Sequence, residues 1–205
     1  MRSRILKSML LMGALNLGLM AHAELIPQIH LTSADVAVTY TASVAKPTQS
    51  SSSFWMQGGG INSGFTLYHG LGLAASFIGD HNANIIPGVG ITKLSYMGGP
   101  RYTYEIKDNG EKLGTSIFGE TLFGAAHAYN GVFPVTGGSV PGEVKTTANA
   151  FTMQVGGGLD LTLGKRIGLR FPEIYYVRTT LPNGGSNTQN DLRLAVGVSY
   201  VFRKR

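Results

Sequence analysis

Two stretches of this chain alternate with a period of two. From Phe151 to Leu163 the odd positions hold Phe151, Met153, Val155, Gly157, Leu159, Leu161 and Leu163, and the even ones Thr152, Gln154, Gly156, Gly158, Asp160 and Thr162. Leu192, Leu194, Val196, Val198, Tyr200 and Phe202 repeat the pattern against Arg193, Ala195, Gly197 and Ser199. Successive side chains of a strand point to opposite faces, so each stretch reads as a strand with one apolar and one small or polar face.

Working outwards from these two, the same reading places strands at 35–44, 54–67, 70–80, 91–106, 113–127, 147–163, 166–179 and 190–202. Eight is an even number, and most of these segments reach the roughly 9–11 residues that a tilted strand needs to cross a bilayer core. Tight turns are expected at Tyr68-His69, Asn109-Gly110 and Gly164-Lys165, with longer loops at 45–53, 81–90, 128–146 and 180–189. This short-side and long-side alternation is the habit of an up-and-down barrel. In lipid every backbone N–H and C=O must be paired within the protein, and closing the sheet removes its edges. The expected fold is therefore all-β, an eight-stranded antiparallel up-and-down transmembrane β-barrel. Gly58-Gly59-Gly60 and Gly156-Gly157-Gly158 fall inside strands, where glycine marks bends or close packing.

The first residues set an export route. Arg2, Arg4 and Lys7 precede an apolar run from Met9 to Met20, and Ala21-His22-Ala23 fits an A-x-A cleavage site, so residues 1–23 read as a cleaved signal peptide and 24–205 as one barrel domain. Three of the 17 basic residues but none of the 11 acidic ones lie in that leader, which lowers the excess charge from +6 to +3. Arg203, Lys204 and Arg205 account for the remainder, leaving no clustered basic face for nucleic acid. Charged residues are only 14% of the chain, against about 25% in ordinary soluble domains, a composition suited to lipid rather than water. Cysteine is absent, so no disulfide or thiolate site is available.

At the last strand, Gly197, Tyr200 and Phe202 match a glycine, spacer and aromatic ending that resembles the barrel-assembly signal of outer-membrane proteins. Over residues 34–202 the chain resembles the OmpA/OmpX-like outer-membrane β-barrel family, with Gly99-Pro100-Arg101-Tyr102, Phe118-Gly119-Glu120 and Val155 to Asp160 looking like its strands. The resemblance implies the fold, an outer-membrane location, and lipid and the barrel-assembly machinery as partners. It leaves activity open, since members include anchors, adhesins and lipid-modifying enzymes. A monomer is expected, and the partner of the surface loops is not readable.

If large apolar side chains face lipid, the opposite parity points inward and collects Gln57, Arg101, Glu120, Gln154, Asp160, Arg170, Glu173 and Arg193. An eight-stranded barrel is just wide enough for side chains to fill, so these residues are expected to pair across the lumen. Pro172 is expected at a bulge that shifts the register of Glu173 and Tyr175. Tyr102, Tyr104, Tyr175, Tyr176 and Tyr200, with Trp55, suit interfacial girdles.

No catalytic site, cofactor site or metal site is expected. Gly70 to Ala75 formally satisfies G-x-G-x-x-A, but no helix follows and no acid lies near position 95; Gly58 to Gly64 lacks the Lys-Ser/Thr of a phosphate loop. His30, His69, His81 and His127 have neither zinc-site spacing nor the pattern of a lipid deacylase of this fold, and His81 beside Asp80 reads as a loop residue. The reading that results is a structural or interaction barrel that anchors surface loops. A narrow pore for ions or small solutes and a soluble periplasmic lipocalin-like lipid binder remain open beside it.

Overall fold

The alternating stretches each form one strand, and the strands close on themselves. The computed structural model describes residues 31–47, 53–86, 89–106, 113–135, 142–163, 166–183 and 187–203. These form β1 (Ser33–Pro47), β2 (Phe54–Tyr68), β3 (Leu71–Ile86), β4 (Val89–Ile106), β5 (Leu113–Pro134), β6 (Val144–Leu163), β7 (Ile167–Thr179) and β8 (Gln189–Arg203). Every strand pairs antiparallel with its sequence neighbours, and β1 pairs with β8 from Ser33↔Arg203 to Pro47↔Gln189, which closes the barrel. The expected leader and its cleavage residues Ala21 and Ala23, the turns Asn109-Gly110 and Gly164-Lys165, and Lys204-Arg205 lie outside the described residues.

One end of the barrel carries the β2–β3, β4–β5 and β6–β7 connections and is called here the turn end; the other is the loop end. The β2–β3 turn is His69-Gly70, one residue later than expected, with φ of 47° and 86°. Positive φ at both central positions suits the twist of a hairpin. A side chain at Gly70 would also meet the Thr103 carbonyl oxygen at 2.3 Å, so only glycine fits there.

At the loop end two expected loops are shorter than the sequence indicated. β3 and β4 run on until Ile86 pairs with Val89, so only Pro87 and Gly88 separate them. β5 and β6 extend until Pro134 pairs with Val144. Both extensions pass through an irregularity, between Asn82 and Ile86 and between Tyr129 and Phe133, the latter beside Asn130 at φ 61°. At each irregularity four residues of one strand stand against two of the other, and the break in alternation hides a continuing strand from a period-two reading. His81 is consequently a strand residue rather than a loop residue.

The outward face follows the expected parity. Val36, Val38, Ile61, Phe65, Leu71, Leu73, Phe77, Ile117, Phe123, Ile174, Leu192 and Val198 are all exposed on it. Above them, towards the loop end, sits a belt of outward polar side chains: Gln57 accepts from the Tyr40 hydroxyl (2.9 Å), His81 pairs with Thr92 (2.8 Å), His127 with Asn149 (2.6 Å) and Tyr176 with Asn190 (2.7 Å). Below them lie Tyr68, Tyr102, Tyr104 and Tyr200, the last accepting from Arg166 (3.0 Å). Ten residues separate the two levels on β3 (His81 to Leu71), β4 (Thr92 to Tyr102), β5 (His127 to Ile117) and β8 (Asn190 to Tyr200). At about 3.3 Å per residue and a tilt near 40°, ten residues span about 25 Å, the height of a bilayer-facing apolar band.

This surface corrects the lipocalin-like alternative. Such a barrel holds apolar side chains inside and polar ones outside, and the arrangement here is the reverse.

Candidate functional site

The inward parity gathers the charge of the protein into the lumen in two layers. Nearer the turn end, the Arg170 guanidinium lies 2.6 Å from Asp35 and 2.5 Å from Asp160, and Arg101 approaches the same two carboxylates at 3.2 and 3.9 Å. Ser199 donates to the other oxygen of Asp160 at 2.7 Å. The Phe118 ring faces both cations, with Arg101 Cζ at 4.0 Å and Arg170 Cζ at 4.7 Å from its centroid, a cation–π contact made in a desolvated site. Glu120 is the cross-strand partner of Arg101. Glu173 is fully buried, its closest cation being Arg170 Nε at 3.7 Å, and neither of its carboxyl oxygens has a hydrogen-bond partner among the described residues. Two guanidinium groups thus serve four carboxyl groups.

Glycine makes the room for this layer. A Cβ at Gly64 would stand 2.3 Å from Arg101 Nη1 and 2.6 Å from Asp35 Oδ1, so the missing side chain is the space in which that pair sits.

Nearer the loop end the second layer is balanced. Arg193 reaches Asp80 (2.8 Å), Gln154 (2.7 Å) and Ser43 (3.4 Å), Thr41 donates to Asp80 (2.8 Å), and Lys93 pairs with Asp191 (2.6 Å). Above it the lumen turns apolar, with Ala45, Met56, Ile91, Ala128, Phe133 and Leu181 packed together and Phe54 and Ile85 against them. A second apolar cluster, Ala74, Ile78, Met97 and Leu122, fills the wall on the β3–β5 side. Buried charges require partners and hydrogen bonds to offset desolvation, and here each guanidinium has them.

Of the eight residues expected in the lumen, the structure places Arg101, Glu120, Gln154, Asp160, Arg170, Glu173 and Arg193 there. Gln57 is the correction. It shares the parity of Trp55, Ile61 and Phe65 and is exposed on the outer face, bound by Tyr40. The glycines at 58–60 carry no polarity signal, so the alternation lapses beside it. The reading also missed Asp35, Asp80, Lys93 and Asp191, although parity could have found them: each stands opposite outward residues such as Val36, Phe77, Tyr96 and Leu192. Register slips between Arg170 and Glu173, at Pro172, so inward parity changes from even to odd along β7 and brings Tyr175 into the lumen rather than into a girdle. Gly197 lies against β1, while Tyr200 and Phe202 stack edge to face at 4.7 Å on the last strand. His81 and Asp80, neighbours in sequence, point to opposite sides of the wall.

No protein-family model matches the sequence, and no curated protein matches it at a significant level. Among solved structures, neisserial surface protein A (NspA) aligns at TM-score 0.52 and 14% identity, over 82% of this chain and 96% of its own. Ail, the attachment invasion locus protein of Yersinia pestis, aligns at TM-score 0.49 and 13% identity over 84% and 100%, and the N-terminal barrel domain of Pseudomonas aeruginosa OprF at 0.39 and 14% over 84% and 98%. The closed eight-stranded barrel with apolar wall and polar core is the fold of the outer-membrane β-barrels, and the alignment with NspA agrees with it.

Proposed function

We propose that this protein is an outer-membrane barrel of the anchoring and display type: its strands fix it in the bilayer and hold the loop end outside the cell. The observation that carries this reading is the filled lumen. Arg170, Arg193 and Lys93 are locked in ion pairs without solvent exposure, and the apolar cluster around Met56 and Phe133 caps them at the loop end. A pore would need a water path past all of these side chains. On this reading the leader is removed after Ala23, lipid surrounds the wall, and the ending Gly197, Tyr200 and Phe202 is offered to the assembly machinery.

The test is the mobility of detergent-folded protein, loaded unheated and boiled, together with membrane fractionation and planar-bilayer recording. A heat-dependent shift, recovery with the outer membrane, a mature N-terminus at Glu24 and no steady conductance are expected. A soluble protein with one mobility would overturn the membrane reading, and steady ion conductance would replace anchoring with a pore.

A further inference from the structure

The polar belt is not uniform around the barrel. On the β7–β8–β1 face, Arg178, Asn190 and Lys46 are direct register neighbours, Arg178↔Asn190 and Asn190↔Lys46. Two strand spacings put the backbones of the two cations about 10 Å apart. Both point outward and are exposed, and neither is ion-paired to a described carboxylate. The adjoining loops, 48–53 and 180–188, contain no charged residue at all. Asn190 accepts the Tyr176 hydroxyl at 2.7 Å, which leaves its amide NH2 as a donor between the two cations.

Directly below, on the same three strands, the wall has a notch of about 310 Å³ lined by the outward Tyr40, Ala42, Phe171, Leu194 and Val196 with Pro172, and bordered by the buried Glu173 and Ala195. It exists because Ala42 is small among large neighbours and because the β7–β8 ladder slips between Arg170 and Glu173. Val44 and Leu192 form the path from belt to notch, four residues separating Lys46 from Ala42 on β1 and Asn190 from Leu194 on β8.

We propose that this face is a binding site for one anionic, phosphate-bearing membrane lipid, whose uncompensated phosphate charge sets it apart from a zwitterionic lipid, with its phosphate held by Lys46, Arg178 and the Asn190 amide and one acyl chain lying in the notch. A cationic pair at headgroup depth attracts phosphate, and apolar volume at the depth of the hydrocarbon selects an acylated ligand over a free anion. Elsewhere on the belt the polar groups, His81 with Thr92 and His127 with Asn149, are paired with one another. The inference rests on the membrane reading above.

Native mass spectrometry of the detergent-folded full chain, offered equal amounts of diphosphoryl lipid A and phosphatidylcholine, tests it. One lipid A per barrel is expected, in preference to phosphatidylcholine. The double variant Lys46→Gln/Arg178→Gln is expected to lower retention by about tenfold, and Ala42→Trp, which fills the notch, to lower it with both cations intact. Equal retention of phosphatidylcholine, unchanged retention in the double variant, or displacement by inorganic phosphate at matched concentration would each overturn the lipid site. The heat-dependent mobility shift separates the two readings: its presence without lipid preference refutes the site alone, and its absence refutes the membrane barrel and the site with it.

Discussion

Arg193 and Asp80 stand 113 positions apart in sequence and meet across the lumen at 2.8 Å, both without solvent exposure. Their strands, β8 and β3, are not neighbours in the sheet, so the contact tests the closed barrel rather than any one hairpin.

Removing either partner leaves the other charge buried. Arg193→Ala is expected to destabilise the folded barrel by about 3–5 kcal/mol, since an unpaired interior charge carries its full desolvation penalty. Replacing both, as Arg193→Met with Asp80→Leu, should be far less costly than the sum of the single changes. Urea titrations read by unheated gel mobility measure both quantities.

Much of this arrangement was readable from the sequence, and the misses have physical causes. Large apolar residues at every second position reveal the wall because lipid contacts one face only, and the polar lumen follows by parity. Gln57 was misplaced because three successive glycines erase the alternation beside it. Asp80 falls at the last position of its expected strand, 70–80, because the irregularity after Asn82 hides the continuation that would show its inward parity. Pairings such as Arg193 with Asp80 depend on strand tilt and stagger across a closed sheet, which no single strand encodes.

Gly64 and Gly98 separate space from mere composition. A Cβ at Gly64 collides with the Arg101–Asp35 pair, whereas at Gly98 its nearest neighbour is the Ala74 carbonyl at an ordinary 3.6 Å. Gly64→Ala is therefore expected to cost about 1–3 kcal/mol through overpacking and displacement of the pair. Gly98→Ala should stay within about 0.5 kcal/mol of the parent protein. Equilibrium unfolding of the two variants side by side decides it.

The lumenal pairs should be nearly blind to salt. Screening acts on charges that solvent ions can reach, with a Debye length near 10 Å at 0.1 M, and Lys93, Asp191, Arg193 and Asp80 have no exposed side-chain surface. Raising sodium chloride from about 0.05 to about 0.5 M is expected to leave the urea midpoint almost unchanged. A large fall would mean that water and ions enter the lumen, which is what a pore requires.

Depth within the apolar band gives the sharpest mutational contrast. Phe77 lies outward on β3, four residues towards the turn end from His81 and six from Leu71 on the other side, close to the middle of the band. An arginine there must hold its charge in hydrocarbon, so Phe77→Arg is expected to cost about 2–4 kcal/mol. His81 sits in the polar belt, where a long basic side chain reaches headgroups, and His81→Arg should cost about 0–1 kcal/mol. Both residues occupy the same face of the same strand, so β-propensity and register cannot explain a difference between them. Folding titrations in lipid vesicles measure it, and equal penalties at the two positions would mean that the bilayer does not sit where the ten-residue band places it.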